Sequence, residues 1–193
     1  MRITGGAWRS RRLRGPGRGQ HLRPTPDALR ERAFAVLGDR IIGARFLDIY
    51  AGTGAVGFEA LSRGANEVVF VERHRAAIKI IKANRDALEV STAQARLEFG
   101  PALRAVRDLS RREQTFDVVW ADPPFEQWSE GLEVIIHAFG SGVIKATGIA
   151  CLECPKNAHI DALPDGLCVR RDLSGGASRV AMIGRVEGQG LKV

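Results

Sequence analysis

Two short runs of residues have the types and order of a reactive site. The first, Leu47-Asp48-Ile49-Tyr50-Ala51-Gly52-Thr53-Gly54-Ala55-Val56-Gly57, is an apolar strand-like run that ends in a glycine-rich turn and opens a helical pattern. Glycines in such a turn let the backbone reverse sharply and let a ligand lie against the main chain. Glu72 closes the next apolar run, 20 residues beyond Gly52, where a carboxylate accepts hydrogen bonds from both ribose hydroxyls. Asp48, Ala51, Gly52, Thr53, Gly54, Gly57 and Glu72 are therefore the candidate cofactor-binding residues, and the cofactor is of adenosine type. At the position of Asp48 a nicotinamide-binding turn usually shows an apolar residue. A carboxylate there suits a ligand carrying an ammonium group, such as the amino acid end of S-adenosylmethionine.

The second run is Asp122-Pro123-Pro124-Phe125, directly after the apolar stretch Phe116 to Ala121. Two consecutive prolines hold the backbone extended and without donors, so the Asp122 carboxylate and neighbouring carbonyls face a ligand as acceptors. Phe125 offers a flat face for stacking. An exocyclic amino group needs this set: acceptors that hold its N–H bonds and turn the nitrogen lone pair toward a methyl donor, and an aromatic ring that grips an extruded base. Asp122, Pro123, Pro124 and Phe125 are the candidate catalytic residues.

Strand-length apolar runs alternate with helical patterns after Gly43. Arg45 to Tyr50, Val68 to Val71, Ala95 to Phe99, Phe116 to Ala121 and Ile149 to Glu153 read as strands; Ala55 to Arg63, His74 to Leu88, Ala102 to Leu109 and Trp128 to Phe139 read as helices. That alternation predicts right-handed crossovers and a mainly parallel sheet covered on both faces. Cys168 to Asp172 and Arg179 to Arg185 leave no room for a helix between them and predict an antiparallel hairpin at one edge. Gly52, Glu72 and Asp122 then lie just past the carboxyl ends of parallel strands, where open α/β sheets bind ligands. Before this body, Thr25-Pro26 reads as a helix start, with Leu29, Ala33, Val36 and Leu37 on one apolar face up to Gly38.

Residues 1–32 hold nine arginines against Asp27 and Glu31, an excess equal to the whole chain's formal net charge of +7. A basic segment on a neutral body predicts a polyanionic partner, most simply nucleic acid, because neutralised phosphates release counterions. Arg2, Trp8, Arg9, Arg11, Arg12, Arg14, Arg18 and Arg23 are the candidate RNA-binding residues, on a hairpin or irregular arm over residues 1–25 that stands outside the core; the catalytic domain spans residues 26–193. Trp8 either anchors the arm to the body or stacks on RNA. Glycines across the arm break any amphipathic transit helix, no apolar run is long enough to span a bilayer, and three cysteines cannot build a secreted disulfide framework. The cytoplasm is the expected compartment. Cys151-Leu152-Glu153-Cys154 lacks a second pair and reads as buried thiols with no metal, and Trp120 reads as a packing residue.

The chain resembles the class I S-adenosylmethionine-dependent methyltransferases that act on amino nitrogens, through Asp48 to Gly57 and Asp122 to Phe125. More closely, Arg23-Pro24-Thr25, Arg30-Glu31-Arg32-Ala33-Phe34, Leu47 to Gly57, Glu59-Ala60-Leu61-Ser62-Arg63-Gly64-Ala65 and the Asp-Pro-Pro-Phe run resemble the RsmD-type small-subunit ribosomal RNA guanine-N2 methyltransferases over nearly the whole chain. The resemblance implies a Rossmann-like α/β fold with a seven-stranded sheet, S-adenosylmethionine as cofactor, and guanine N2 in 16S rRNA of the small ribosomal subunit, or of its assembly intermediate, as acceptor. A monomer is expected. Two departures stand out. Phe99-Gly100-Pro101-Ala102 lacks the acid that relatives often place against the adenine amino group, and Gly175-Gly176-Ala177-Ser178-Arg179 replaces an aromatic-glycine pair. The rival readings are a DNA adenine or cytosine amino-methyltransferase and a non-catalytic RNA-binding protein with a ligand-sensing pocket; a protein glutamine methyltransferase, typically with Asn at position 122, and a nicotinamide dehydrogenase rank below them.

Overall fold

The computed structural model describes residues 1–15, 27–160 and 163–186. Arg18, Arg23, the Thr25-Pro26 cap and the expected boundary between residues 25 and 26 lie outside the described residues. One sheet runs in the order β3-β2-β1-β4-β5-β7-β6. Its strands are β1 (Arg45–Ile49), β2 (Glu67–Glu72), β3 (Ala95–Phe99), β4 (Phe116–Ala121), β5 (Ile144–Pro155), β6 (Leu167–Gly175) and β7 (Ser178–Arg185). The first five pair in parallel, and β7 enters antiparallel between β5 and β6, so the expected hairpin does form the edge. Helices α1 (Asp27–Leu37), α2 (Ala55–Ser62), α3 (Arg75–Ala87), α4 (Ala102–Arg111) and α5 (Trp128–Gly140) cover both faces. No helix among the described residues is long and apolar enough to cross a membrane.

The period of two along each strand divides the core. Val68 and Phe70 of β2, with Val118 and Trp120 of β4, join α1 and α2 in one cluster. Val69, Val71, Val119 and Ala121 join α4 and α5 in the other. Trp120 is fully buried, and its ring stacks on Phe34 of α1 with 6.0 Å between centroids. β5 begins at Ile144, five residues earlier than its apolar run suggests: Phe116 pairs with Ile144 but Val118 with Ile149, a register shift that takes up the polar segment between.

Residues 1–15 correct one expectation, because this segment is not an arm outside the core. Ile3 and Leu13 are buried in the cluster shared with α1 and α2, and Arg2 and Arg12 form an antiparallel bridge. The buried carboxylate of Glu59 on α2 accepts hydrogen bonds from the Thr4 amide (2.7 Å), the Thr4 hydroxyl (2.8 Å) and the Gly5 amide (2.8 Å). Arg63, just past the end of α2, and Arg30 of α1 complete its shell, with Nε atoms 2.8 and 3.5 Å from its oxygens. Trp8 packs against the same cluster, and its amide donates to Ser62 Oγ at 2.9 Å, so it anchors the segment. Arginine and glycine neighbours hide this packing from periodicity, since isolated apolar residues carry no pattern.

A buried carboxylate between two guanidinium groups tolerates loss of its partners poorly, and loss of the carboxylate strands the cations. Glu59→Ala is expected to reduce unfolding free energy by about 3 to 5 kcal/mol, measured by denaturant titration. A loss below about 1 kcal/mol, typical of surface ion pairs, would contradict this arrangement.

Candidate active site

A cavity of about 800 Å³ opens at the carboxyl ends of β1, β2 and β4. Asp48, Ala51, Gly52, Thr53, Glu72, Asp122, Pro123, Pro124 and Phe125 all line it, so one crevice brings together the two reactive runs. Gly54 and Gly57 do not line it. They stand behind its wall, where α2 presses on β2: a Cβ on Gly57 would lie 2.3 Å from Phe70 Cε1 and one on Gly54 2.8 Å from Phe58 Cε2. Their absent side chains permit close helix–sheet packing, the role of the third glycine in such turns.

Strand alternation turns Asp48 toward α2. Its Oδ2 accepts the Gly57 amide at 2.9 Å and satisfies a donor in the first turn of a helix whose N-cap, Gly54, has no side chain to do so. Asp48 is 1% exposed, and burial pushes its pKa up to about 7; the Gly57 bond opposes that shift and the charge of Glu72 adds to it. Glu72 bridges the turn differently: Oε2 accepts the Gly52 amide at 2.9 Å and Oε1 the His74 amide at 2.7 Å. Both oxygens retain a further lone pair. Asn84 of α3 ties the turn to the N-terminal segment, donating to the Thr53 carbonyl (3.0 Å) and the Arg14 carbonyl (3.1 Å). Beyond β3, Gly100, Pro101, Ala102 and Leu103 line the cavity with backbone and apolar groups where an acid is absent.

The Asp122 amide donates to Ile49 of β1 at 3.3 Å, which holds the Asp-Pro-Pro-Phe run beside the glycine turn. Gly131 in α5 presses on it from behind. A Cβ there would lie 2.6 Å from Pro123 Cγ, which explains a glycine in a helix interior despite a cost of about 1 kcal/mol relative to alanine.

Several cavity residues escaped sequence reading. Tyr50 has a left-handed backbone (φ 64°) at the end of β1, and burial, with Glu130 beside it, pushes its hydroxyl up to about 12. Strain of this kind concentrates at functional sites. Met1, Arg30, Glu153 and Gly176 to Ser178 also line the cavity. Gly131 left a signal, a glycine inside a helical pattern; Arg30 and Glu153 left none, since a lone charged residue reads as solvent-facing. Cys151 and Cys154 are free, buried thiols, both with raised pKa from burial, and no group of His, Cys, Asp or Glu among the described residues could hold a metal.

The strand order with antiparallel β7, the acid-glycine turn and an Asp-Pro-Pro-aromatic run on neighbouring strand ends define a class I methyltransferase, whose cofactor is S-adenosylmethionine. The family model described as conserved hypothetical protein 95 matches residues 1–184, and the chain belongs to that family, the RsmD-type rRNA methyltransferases. The chain is 32% identical over 183 residues to YlbH of Bacillus subtilis, a candidate rRNA methyltransferase, covering 94% of this chain and 97% of that protein. It is 38% identical over 125 residues to ribosomal RNA small subunit methyltransferase D of Haemophilus influenzae, spanning 65% of this chain and 64% of the relative. With the enzyme of the same name from Escherichia coli it shares 36% over 127 residues, 66% of this chain and 61% of that one. Among solved structures, the candidate methyltransferase yhhF of Escherichia coli superposes with a TM-score of 0.80 at 30% identity, covering 96% of this chain and 97% of that chain. SMU.776, a candidate methyltransferase complexed with SAH, shares the fold at TM-score 0.63 and 14% identity, over 79% of this chain and 48% of that one.

Burial holds the Asp48 carboxyl well above the ordinary carboxylate range, up to about 7, so the folded protein binds more protons than the unfolded chain between pH 4 and 7. Its contribution to stability is therefore lost as pH rises through that window. The melting temperature of the cofactor-free protein is expected to fall from pH 4 to 7 relative to that of Asp48→Asn. Parallel profiles for the two proteins would contradict the buried placement.

Proposed function

We propose that this chain transfers a methyl group from S-adenosylmethionine to the exocyclic N2 of a guanine in 16S rRNA of the small ribosomal subunit. The observation that carries this reading is the placement of Asp122 to Phe125 in the same cavity as Asp48, Gly52 and Glu72. The donor set fits the cofactor: a buried carboxylate at Asp48 for its ammonium group, Glu72 for the ribose hydroxyls, and the apolar wall at Pro101 to Leu103 for the adenine. When bound, it supplies a methyl group already activated by a sulfonium.

The chain's task is then mostly positioning, which can contribute a large share of the rate. Phe125 stacks on the extruded base. The Asp122 carboxylate and the Pro123 carbonyl accept the N2 hydrogens and orient the nitrogen, and Asp122 need not take the proton. Pro123 keeps the run extended, with Gly131 at its back. The cavity opens to solvent, to which the proton displaced from N2 departs.

Arg2, Arg9, Arg11, Arg12 and Arg14 are exposed on the docked N-terminal segment and offer phosphate contacts close to the cavity, where Met1 lies. Arg11 also donates to the Ala87 carbonyl at 2.7 Å, so part of its role is to hold the segment against α3. Arg18 and Arg23, outside the described residues, are proposed as further RNA contacts, and Trp8 serves the RNA surface by anchoring the segment that carries it. The protein is proposed to act as a cytoplasmic monomer.

Asp122→Ala is expected to lower methyl transfer to small subunits by at least about 100-fold, the scale of a lost positioning or acid–base group. Cofactor affinity by calorimetry should stay within a few-fold. Near-normal turnover would overturn the role of Asp122.

A further inference from the structure

Arg30 is a cation with no exposed surface, yet it lines the cavity. Its Nη2 donates to the Arg2 carbonyl at 2.7 Å and to Asp27 Oδ1 at 3.0 Å, and its Nε lies 3.5 Å from Glu59 Oε2. Its Nη1 has no hydrogen-bond partner among the described residues, and Nε has none either, only the charge of Glu59 at that distance. A buried guanidinium nitrogen left in this state forgoes charge-assisted hydrogen bonds and calls for an acceptor that arrives with a ligand.

The electrostatics select the kind of acceptor. Glu59 and Asp27 already balance the charge of Arg30, and Asp48, Glu72, Asp122, Glu130, Glu133 and Glu153 put six carboxyl groups around the same cavity, against Arg30 and Arg73. A phosphate or carboxylate entering here meets a net acidic lining. A neutral base that carries both donors and acceptors fits better: its N–H groups face the acids and its carbonyl faces the arginine. Arg30 sits on the side of Glu153 and the Gly176 to Ser178 turn, away from the apolar wall at Pro101 to Leu103. Guanine meets both demands, with N1–H and N2–H donors and an O6 acceptor; adenine, with an amino group at position 6, would set donor against donor.

We infer that Arg30 is a specificity-determining residue that reads O6 of the acceptor guanine through Nη1. This rests on the reading of guanine as the acceptor. The two hydrogen bonds of Nη2, to the Arg2 carbonyl and Asp27, hold the guanidinium in place, and the Glu59 carboxylate beside Nε keeps it charged.

The test is a cycle between Arg30→Met and 2-aminopurine, which keeps the 2-amino group but lacks O6 and the N1 hydrogen, placed by ligation at the guanine found to be methylated in 16S rRNA. For the wild type, 2-aminopurine is expected to lower kcat/KM by roughly 10- to 100-fold, the range of a hydrogen bond to a charged donor. Arg30→Met should lower guanine methylation by a similar factor, and in that variant the 2-aminopurine penalty should shrink by about that factor, leaving only the share that comes from the lost N1–H. Arg30→Lys, which keeps the charge beside Glu59 and Asp27, covers the case in which Arg30→Met fails to fold; it should bind S-adenosylmethionine normally and lose most of the discrimination. An undiminished 2-aminopurine penalty in the variants overturns the inference. So does an equal loss of affinity for both RNAs with a flatter salt dependence, which would make Arg30 a phosphate contact. Wild-type protein that yields no N2-methylguanosine from guanine-bearing RNA defeats the underlying reading instead, and the two failures are told apart by that first arm.

Discussion

The molecule depends on a carboxylate that water cannot reach. Glu59 is wholly buried on α2, and no isolated carboxylate is stable there, so the chain must bring donors to it. Thr4 and Gly5 come from the N-terminal segment, Arg30 from α1 and Arg63 from just past the end of α2. This one group therefore decides that residues 1–15 dock and that α1 closes over the middle of the sheet at Trp120. It also holds the helix whose first turn begins at the Gly52 to Gly54 bend. The same shell leaves Arg30 neutralised but incompletely bonded at the cavity wall.

From that anchor the site follows by register. β1 pairs with β2 and β4 in parallel, so Ile49 stands level with Val71 and Ala121, and the residues just beyond all three strands converge. Asp48 reaches α2 because strand alternation leaves it no other side, and its carboxylate replaces the cap that Gly54 lacks. Glu72 fastens the bend from the neighbouring strand. A rigid sheet thus presents two acids and a donor-rich turn on one side, and Asp122 to Phe125 on the other, with little need for loop rearrangement. Helix α5 adds the last constraint through Gly131, which lets it lean on Pro123.

The strands, helices and both reactive runs were legible because each is a local pattern: period two, period 3.6, glycine before a helix, proline after a strand. The docked N-terminal segment was not. Ile3 and Leu13 are separated by arginines and glycines and have no period to betray their burial. Arg30 and Glu59 were invisible for a related reason, since a salt bridge closed between α1 and α2 is a tertiary fact and each residue alone looks solvated. The roles of Gly54 and Gly57 lay between these cases. Their presence was readable, but only Phe58 and Phe70 show the packing that their missing side chains allow. The five residues from Ile144 to Gly148 were lost to the polar interruption that the register shift absorbs.

The central claim is that one crevice joins a methyl donor to an amino nitrogen of a ribosomal guanine. Its most direct test is transfer of isotopically labelled methyl from S-adenosylmethionine to unmodified small subunits, free 16S rRNA and DNA in parallel, followed by nucleoside mass spectrometry. The account predicts label in N2-methylguanosine from ribosomal RNA alone. Label in DNA, label on another atom of rRNA, or no label despite measured cofactor binding would contradict it.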